Sequence, residues 1–155
     1  MNDILIVEYK SEHQPWFERL NRAWIERYFV MEAIDVEVLQ DPDGHIVSKG
    51  GSIIMASLDN TIVGTVALKY SGPGVYEFTK MAVDEKFQGR KVGRALAVAA
   101  IQKAGKLGGK KIILYSNTIL VPAIALYRNL GFREVPIDGP YKRSNIKMEL
   151  NIGQS

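Results

Sequence analysis

The stretch Glu77-Phe78-Thr79-Lys80-Met81-Ala82-Val83, Asp84-Glu85-Lys86-Phe87, Gln88-Gly89-Arg90-Lys91-Val92-Gly93-Arg94-Ala95-Leu96 decides how the rest of the chain is read. It opens as an apolar, β-branched run of strand character and turns, through small and basic residues, into an alanine-rich helix. Such a turn delivers a helix N-terminus, whose first backbone N–H groups have no partner inside the helix and point, with the positive end of the helix dipole, at one place. A phosphate suits that place. Arg90, Lys91 and Arg94 add cationic side chains around it, so a pyrophosphate-bearing ligand is a natural occupant. An ordinary strand-to-helix loop with solvated basic residues would read the same on this segment by itself. The segment is not a P-loop, because no Gly-Lys-Ser/Thr ends it, and not a dinucleotide fingerprint, because Gly-x-Gly-x-x-Gly is absent.

Working outward, Leu5 to Tyr9 reads as a first strand, and Trp16, Phe17, Leu20, Trp24, Ile25, Tyr28 and Phe29 recur at helical spacing. A short helical pattern follows from Ile34 to Leu39, and Pro42-Asp43-Gly44 reads as a turn. Gly51 to Ala56, Thr61 to Lys69 and Val75 to Val83 form an antiparallel meander broken at Asp59-Asn60 and at Ser71-Gly72-Pro73-Gly74. Downstream, Gly93 to Lys106 is a helix ended by Leu107-Gly108-Gly109, and Lys111 to Tyr115 is a buried strand. Pro122 opens a last helix that ends at Gly131, and Phe132 to Val135 and Ile146 to Leu150 close the chain as strands. The expected order is β-α-α-β-β-β-α-β-α-β-β. That is one α/β domain over residues 1–155, with a mixed, mostly antiparallel sheet flanked by about four helices.

Composition narrows the chemistry. A chain of 155 residues, 46% hydrophobic and 24% charged, suits a single domain with a real core. No apolar run approaches the roughly 20 residues that cross a bilayer, and Met1-Asn2-Asp3-Ile4 lacks the basic start of a secretory leader, so a cytoplasmic protein without a membrane partner is expected. With no cysteine there is no disulfide, no thiolate metal site and no acyl-cysteine intermediate. His13 and His45 are the only histidines and belong to no metal motif, and Gly-x-Ser-x-Gly is absent, which argues against a metal enzyme or a serine hydrolase. The net charge of +3 is compatible with nucleic acid, anionic lipid or a polyphosphate-bearing small molecule.

Gln88-x-x-Lys91-x-Gly93 resembles the Gln/Arg-x-x-Gly-x-Gly/Ala pyrophosphate loop of the GCN5-related N-acetyltransferases, the GNAT family, and Gln88 follows Val83 by five residues as it does there. Leu114-Tyr115-Ser116-Asn117 resembles the end of that family's fifth strand, and Ala123-Ile124-Ala125-Leu126-Tyr127-Arg128-Asn129-Leu130-Gly131-Phe132 is similar to its Ala-x-x-x-Leu-Tyr-x-x-x-Gly-Phe helix and turn. One position departs: Lys91 stands where the loop has its first glycine. A left-handed backbone there would strain lysine, whereas a place in the first helical turn would not.

The resemblance implies a GNAT-like domain that uses acetyl-CoA as acyl donor and needs no metal. Residues 1–45 would carry the first strand and the acceptor-side helices, 51–116 the sheet and coenzyme loop, and 117–155 the last helix and strands. The backbone of Gln88, Gly89, Arg90, Lys91, Val92, Gly93 and Arg94 would hold the pyrophosphate, and Met81, Ala82 and Val83 would pair with the pantetheine arm. The Met81 N–H would face the thioester oxygen. Asn117 would hydrogen-bond the pantetheine or hold the splayed strand end beside it; capping of the next helix is its plainer role. Glu77 would be the base that deprotonates an ammonium, or else an edge carboxylate paired with Lys80 or Lys69. Tyr127 would protonate the departing thiolate, or else be a core tyrosine satisfied by a backbone carbonyl. Trp24, Tyr28 and Phe29 would wall the acceptor pocket. The acidic residues Glu32, Asp35, Glu37, Asp41 and Asp43 would favour a cationic acceptor or form a solvated face.

The implied activity is direct acetyl transfer to a primary amine of a small molecule or peptide, in a chain expected to form homodimers. The alternative within the fold is a non-catalytic acyl-CoA-binding sensor or interaction module. A nucleic-acid-binding domain is disfavoured, because the basic groups at Lys86 to Arg94 and Lys103 to Lys111 lie beside the proposed coenzyme site and a polyanionic coenzyme accounts for them.

Overall fold

A computed structural model describes residues 3–89, 91–139 and 142–153. Strand β1 (Leu5–Glu8) leads to helices α1 (Gln14–Tyr28), α2 (Ala33–Gln40) and α3 (Pro42–His45). Strands β2 (Ser52–Leu58), β3 (Thr61–Tyr70) and β4 (Val75–Val83) follow, then α4 (Val92–Lys106), β5 (Lys111–Ser116), α5 (Val121–Asn129), β6 (Arg133–Val135) and β7 (Ile146–Asn151). The order matches the expectation except at α3. There the expected turn is one helical turn, with Pro42 in its first position and the Asp41 carboxylate accepting the Gly44 N–H at 3.1 Å.

The seven strands form one sheet in the order β1-β2-β3-β4-β5-β7-β6. Every neighbouring pair is antiparallel except β4 and β5, which the α4 crossover makes parallel. Asp59 and Asn60 both have positive φ, 52° and 65°, the backbone that a two-residue hairpin between β2 and β3 requires.

Period-2 alternation sorts the strand residues onto two faces. Ile53, Met55 and Ala67 pack with Phe17 and Ile25 of α1 and Leu39 of α2. Ile54, Val66, Phe78 and Leu114 pack on the other side with Leu96, Ala97 and Ala100 of α4 and Tyr127 of α5. The alanines let α4 lie close to the sheet, and Gly64 beneath it leaves room for the helix: a Cβ there would sit 2.9 Å from Leu96 Cδ1 and 3.0 Å from Val92 Cγ1, so these side chains would have to shift. Each fully buried Leu, Val or Phe contributes about 1.5–3 kcal/mol, so this packing fixes where α4 begins.

Candidate functional site

The sheet divides where β4 meets β5. The two strands pair over four positions, from Val75↔Lys111 to Phe78↔Leu114, and then separate while each continues. Beyond Phe78, β4 therefore has no partner strand on that side, and the backbone groups facing the opening need a partner from solvent or a ligand. Ala82 is buried, and Met81 and Val83 are half-buried along this edge. On its other side β4 pairs with β3, but the register steps from Ala67↔Thr79 to Thr65↔Ala82 around a bulge in which Lys80 has φ +57°.

The start of α4 borders the same opening. Ala95 donates to the Lys91 carbonyl at 3.0 Å, while the N–H groups of Val92, Gly93 and Arg94 donate to no backbone carbonyl among the described residues. The Val92 side chain turns into the core, so only its N–H serves the helix end. Gln88 is exposed and extended, and Gly89 has φ +80°. Lys91 is the N-cap at φ +66°, ψ +15°. The lysine that stands at the loop's first glycine position thus takes a left-handed backbone, at a cost of about 1 kcal/mol. A Cβ on Gly93 would have Met81 Cε at 3.9 Å and Leu126 Cδ2 at 4.0 Å as its nearest neighbours. The approach to these amides is open, and the loop, β4 and α5 converge on it. Arg94 donates to Asn129 Oδ1 at 2.7 Å, which ties the helix start to α5. Arg90 lies outside the described residues.

Tyr127, on α5, is 7% exposed, with its ring edge-on to Phe78 at 5.6 Å and to Phe132 at 5.9 Å. Its hydroxyl makes no hydrogen bond among the described residues, so the carbonyl-satisfied core tyrosine is not what the structure shows. Burial pushes its pKa well above the ordinary phenol value.

Glu77 lies on the opposite face of β4. The edge carboxylate is also corrected: β4 is the central strand of the seven, and Glu77 is 6% exposed with Lys69 directly across on β3. Lys80 is half-buried on the same side, and desolvation pulls its pKa down against the opposing pull of Asp35 and Glu77. Asp35 does not belong to a solvated acidic face, being 2% exposed and ion-paired with Arg143 while accepting the Glu32 N–H at 2.8 Å. Burial works to raise its pKa, but the hydrogen bonds from Arg143 and from Glu32 outweigh it and hold the carboxyl below the usual range. Arg143 also donates to the Val30 carbonyl and stands 5.8 Å over the Phe29 ring. Trp24 lies 5.5 Å from Tyr28 and 5.8 Å from Phe29, so the three aromatics form one cluster at the end of α1.

Asn117 donates to the Arg143 carbonyl at 2.9 Å and accepts the Ile119 N–H at 3.0 Å, whereas the N-cap of α5 is Leu120. It holds the diverging end of β5 and does not cap the helix. Lys80 and Arg143 were not among the residues read from the sequence as site candidates. Arg143 meets Asp35 across more than a hundred residues, and nothing local in Lys142-Arg143-Ser144 announces it. Among the described residues no helix is long and apolar enough to cross a membrane, and no group of three or more His, Asp or Glu could hold a metal ion.

The model of the acetyltransferase (GNAT) family matches residues 8–132, and the chain belongs to that family of acyltransferases. It is 31% identical over 110 residues to YvbK of Bacillus subtilis (strain 168), an uncharacterized N-acetyltransferase, covering 69% of this chain and 71% of that protein. A GNAT-family acetyltransferase structure from Staphylococcus aureus Mu50 superposes with a TM-score of 0.86 at 21% identity, covering 96% of this chain and 99% of the other. The PaiA N-acetyltransferase of Thermoplasma acidophilum, solved in complex with coenzyme A, superposes with a TM-score of 0.75 at 20% identity, covering 97% and 99%. At these identities the two structures establish the fold alone.

Proposed function

We propose that the chain transfers the acetyl group of acetyl-CoA directly to a primary amine of a small molecule or peptide. The observation that carries this reading is the opening between β4 and β5, bordered by helix-start amides that donate to no backbone carbonyl among the described residues, with Tyr127 packed beside Phe78 of β4. The coenzyme bound to PaiA, a protein of the same fold, supports it.

The residues present fit such a donor. Amides from Gly89 to Arg94, with the charges of Lys91 and Arg94, hold the phosphates, and Gly93 leaves room for them. Residues 81–83 of β4 offer backbone groups to an extended amide-bearing arm, as a strand would. Acetyl-CoA supplies an acyl thioester, an activated acyl group on a good leaving group. The Met81 N–H is the donor at the carbonyl oxygen where negative charge develops. Glu77, from the opposite face, takes the proton of the incoming ammonium directly or through one water, so that the neutral amine attacks. Tyr127 gives its proton to the departing sulfur and recovers it from solvent. The raised pKa keeps that proton on the oxygen throughout the physiological range.

Two measurements test the reading. Acetyl-CoA should raise the melting temperature through ligand linkage and dephosphorylated pantetheine much less, and equal stabilisation by both sinks the phosphate assignment. Free-thiol release should then appear with members of an amine panel. Binding without turnover on any amine would favour the acyl-CoA sensor.

A further inference from the structure

Lys80 is the feature that the proposed chemistry leaves unused. In an uninterrupted strand, residues three apart face opposite sides of the sheet, so Lys80 and Glu77 would be separated by it. The bulge adds one residue to β4 and brings Lys80 round to the side of Glu77, Asp35, Arg143 and Lys69, whose charges it feels. The chain accepts a left-handed backbone at a lysine to achieve this, in a strand where glycine or asparagine would adopt it more easily. Among the described residues, Lys80 then forms no ion pair and no side-chain hydrogen bond. Asp35 is engaged by Arg143 and by Glu32, so the nearest buried carboxylate on α2 is committed elsewhere. The charges that act on Lys80 are those of Asp35 and Glu77, which favour its protonated form, and of Arg143 and Lys69, which oppose it. A half-buried ammonium with no ion pair among the described residues costs energy that an incoming anion would recover. The aromatic cluster of Trp24, Tyr28 and Phe29 adjoins it through Arg143.

We infer that the acceptor is a small zwitterionic amine of the amino-acid class, whose carboxylate is held by Lys80 while its ammonium faces Glu77. The inference rests on the acetyltransferase reading and narrows it. Glu77 and Lys80 carry opposite charges three residues apart on β4, across the bulge, as a group bearing an amine and a carboxylate on one carbon requires. Arg143, fixed by Asp35 and by the Val30 carbonyl, adjoins this point.

The test compares each of the twenty amino acids with its own carboxamide as acceptor, by thiol release with acetyl-CoA. The carboxamide has the less basic and more readily deprotonated amine, so a preference for the free acid cannot come from the nucleophile. The wild-type protein should favour at least one free amino acid over its amide in kcat/KM by on the order of 10- to 100-fold, the size of one charge-assisted contact. Lys80→Met should remove that preference through KM for the acid and leave kcat/KM for the amide within about threefold. Lys80→Arg should retain a preference, and Lys80→Glu should invert it, a result that partial unfolding cannot produce. A wild-type preference for amides, or equal losses on both partners of a pair in Lys80→Met, overturns the inference while the acetyltransferase reading stands. Turnover with no amine at all, in protein that binds acetyl-CoA, overturns both.

Discussion

Replacing Tyr127 by phenylalanine removes one oxygen from a ring that stays packed against Phe78 and Phe132. Because the hydroxyl donates to no described group, the usual loss of about 1 kcal/mol for a deleted hydrogen bond does not apply, and stability should change by less than about 0.5 kcal/mol. In a chain of this length that is a melting shift of about 2 °C or less. Coenzyme affinity should hold, since the phosphates are bound at the start of α4. Thiol release should fall by roughly 10- to 10³-fold in kcat, equivalent to about 1.4–4 kcal/mol of barrier, because the sulfur must leave without its donor. The deficit should widen as pH rises and water becomes a poorer proton source. A second signature comes from linkage: burial raises the folded pKa above the unfolded value near 10, so the unfolded chain loses this proton first and the wild-type protein is destabilised as pH climbs past about 10. The phenylalanine variant should lose less stability there. Urea unfolding at pH 8 and pH 10.5, with stopped-assay kcat from pH 6 to 9.5, measures both effects. A folded variant with full kcat at pH 9 refutes the acid assignment, and an unfolded one refutes the packing argument.

Glu77→Gln should lower the rate at neutral pH by about 10² or more at unchanged coenzyme affinity, and the loss should shrink as the pH approaches the amine's own pKa; a wild-type rate at pH 7 returns Glu77 to a structural carboxylate. Gly93→Val should fold, because the space beside its Cβ is open, yet bind acetyl-CoA at least tenfold more weakly as the side chain crowds the amides; unchanged affinity by calorimetry counts against that phosphate site. Lys91→Gly relieves about 1 kcal/mol of left-handed strain and adds about 0.5–1 kcal/mol of unfolded-state freedom, so its unfolding free energy should stay within about 0.5 kcal/mol of wild type. A loss above 1 kcal/mol would mean that the backbone is not left-handed there. Asp35→Asn should cost about 2–4 kcal/mol at pH 7 by stranding Arg143. The depressed pKa of Asp35 means that its contribution is present above the unfolded value near 4 and is lost as pH falls through the lower folded value, so the variant should show a shallower acid limb in unfolding.

What the sequence made legible follows from how local each signal is. The β4 strand and the helix after it were readable because Gly72-Pro73-Gly74 and the Gly89 turn bracket strong apolar periods. Helix α3 was not, since an Asp41 side chain accepting the Gly44 N–H begins a β-turn and a helical turn in the same way. Lys91 could be identified as an unusual occupant of its loop, but its left-handed φ is a property of the folded turn that the residue type does not announce. The bulge at Lys80 leaves no trace in composition, because it is created by the register against β3. The alternative that made Glu77 an edge carboxylate arose because nothing near it in the chain says that β5 returns to the free side of β4. The Asp35–Arg143 pair joins α2 to the segment before β7, and only the closed fold brings those two together.

The four-position seam between β4 and β5 is the strand ladder that joins the β1–β4 ribbon to the β5–β7 ribbon, with the Lys110 N–H on the Gly74 carbonyl at its start and the Arg143–Asp35 pair beyond it. Two cooperative blocks joined so narrowly can open at different free energies, and backbone amide exchange would then report β5 and β7 separately from β2 and β3. A ligand lying along the fissure would bridge the blocks and bring their protection factors together. Such a molecule would leave its imprint on strands it never touches, and exchange mass spectrometry with and without the coenzyme would read that imprint as a single, shared unfolding unit.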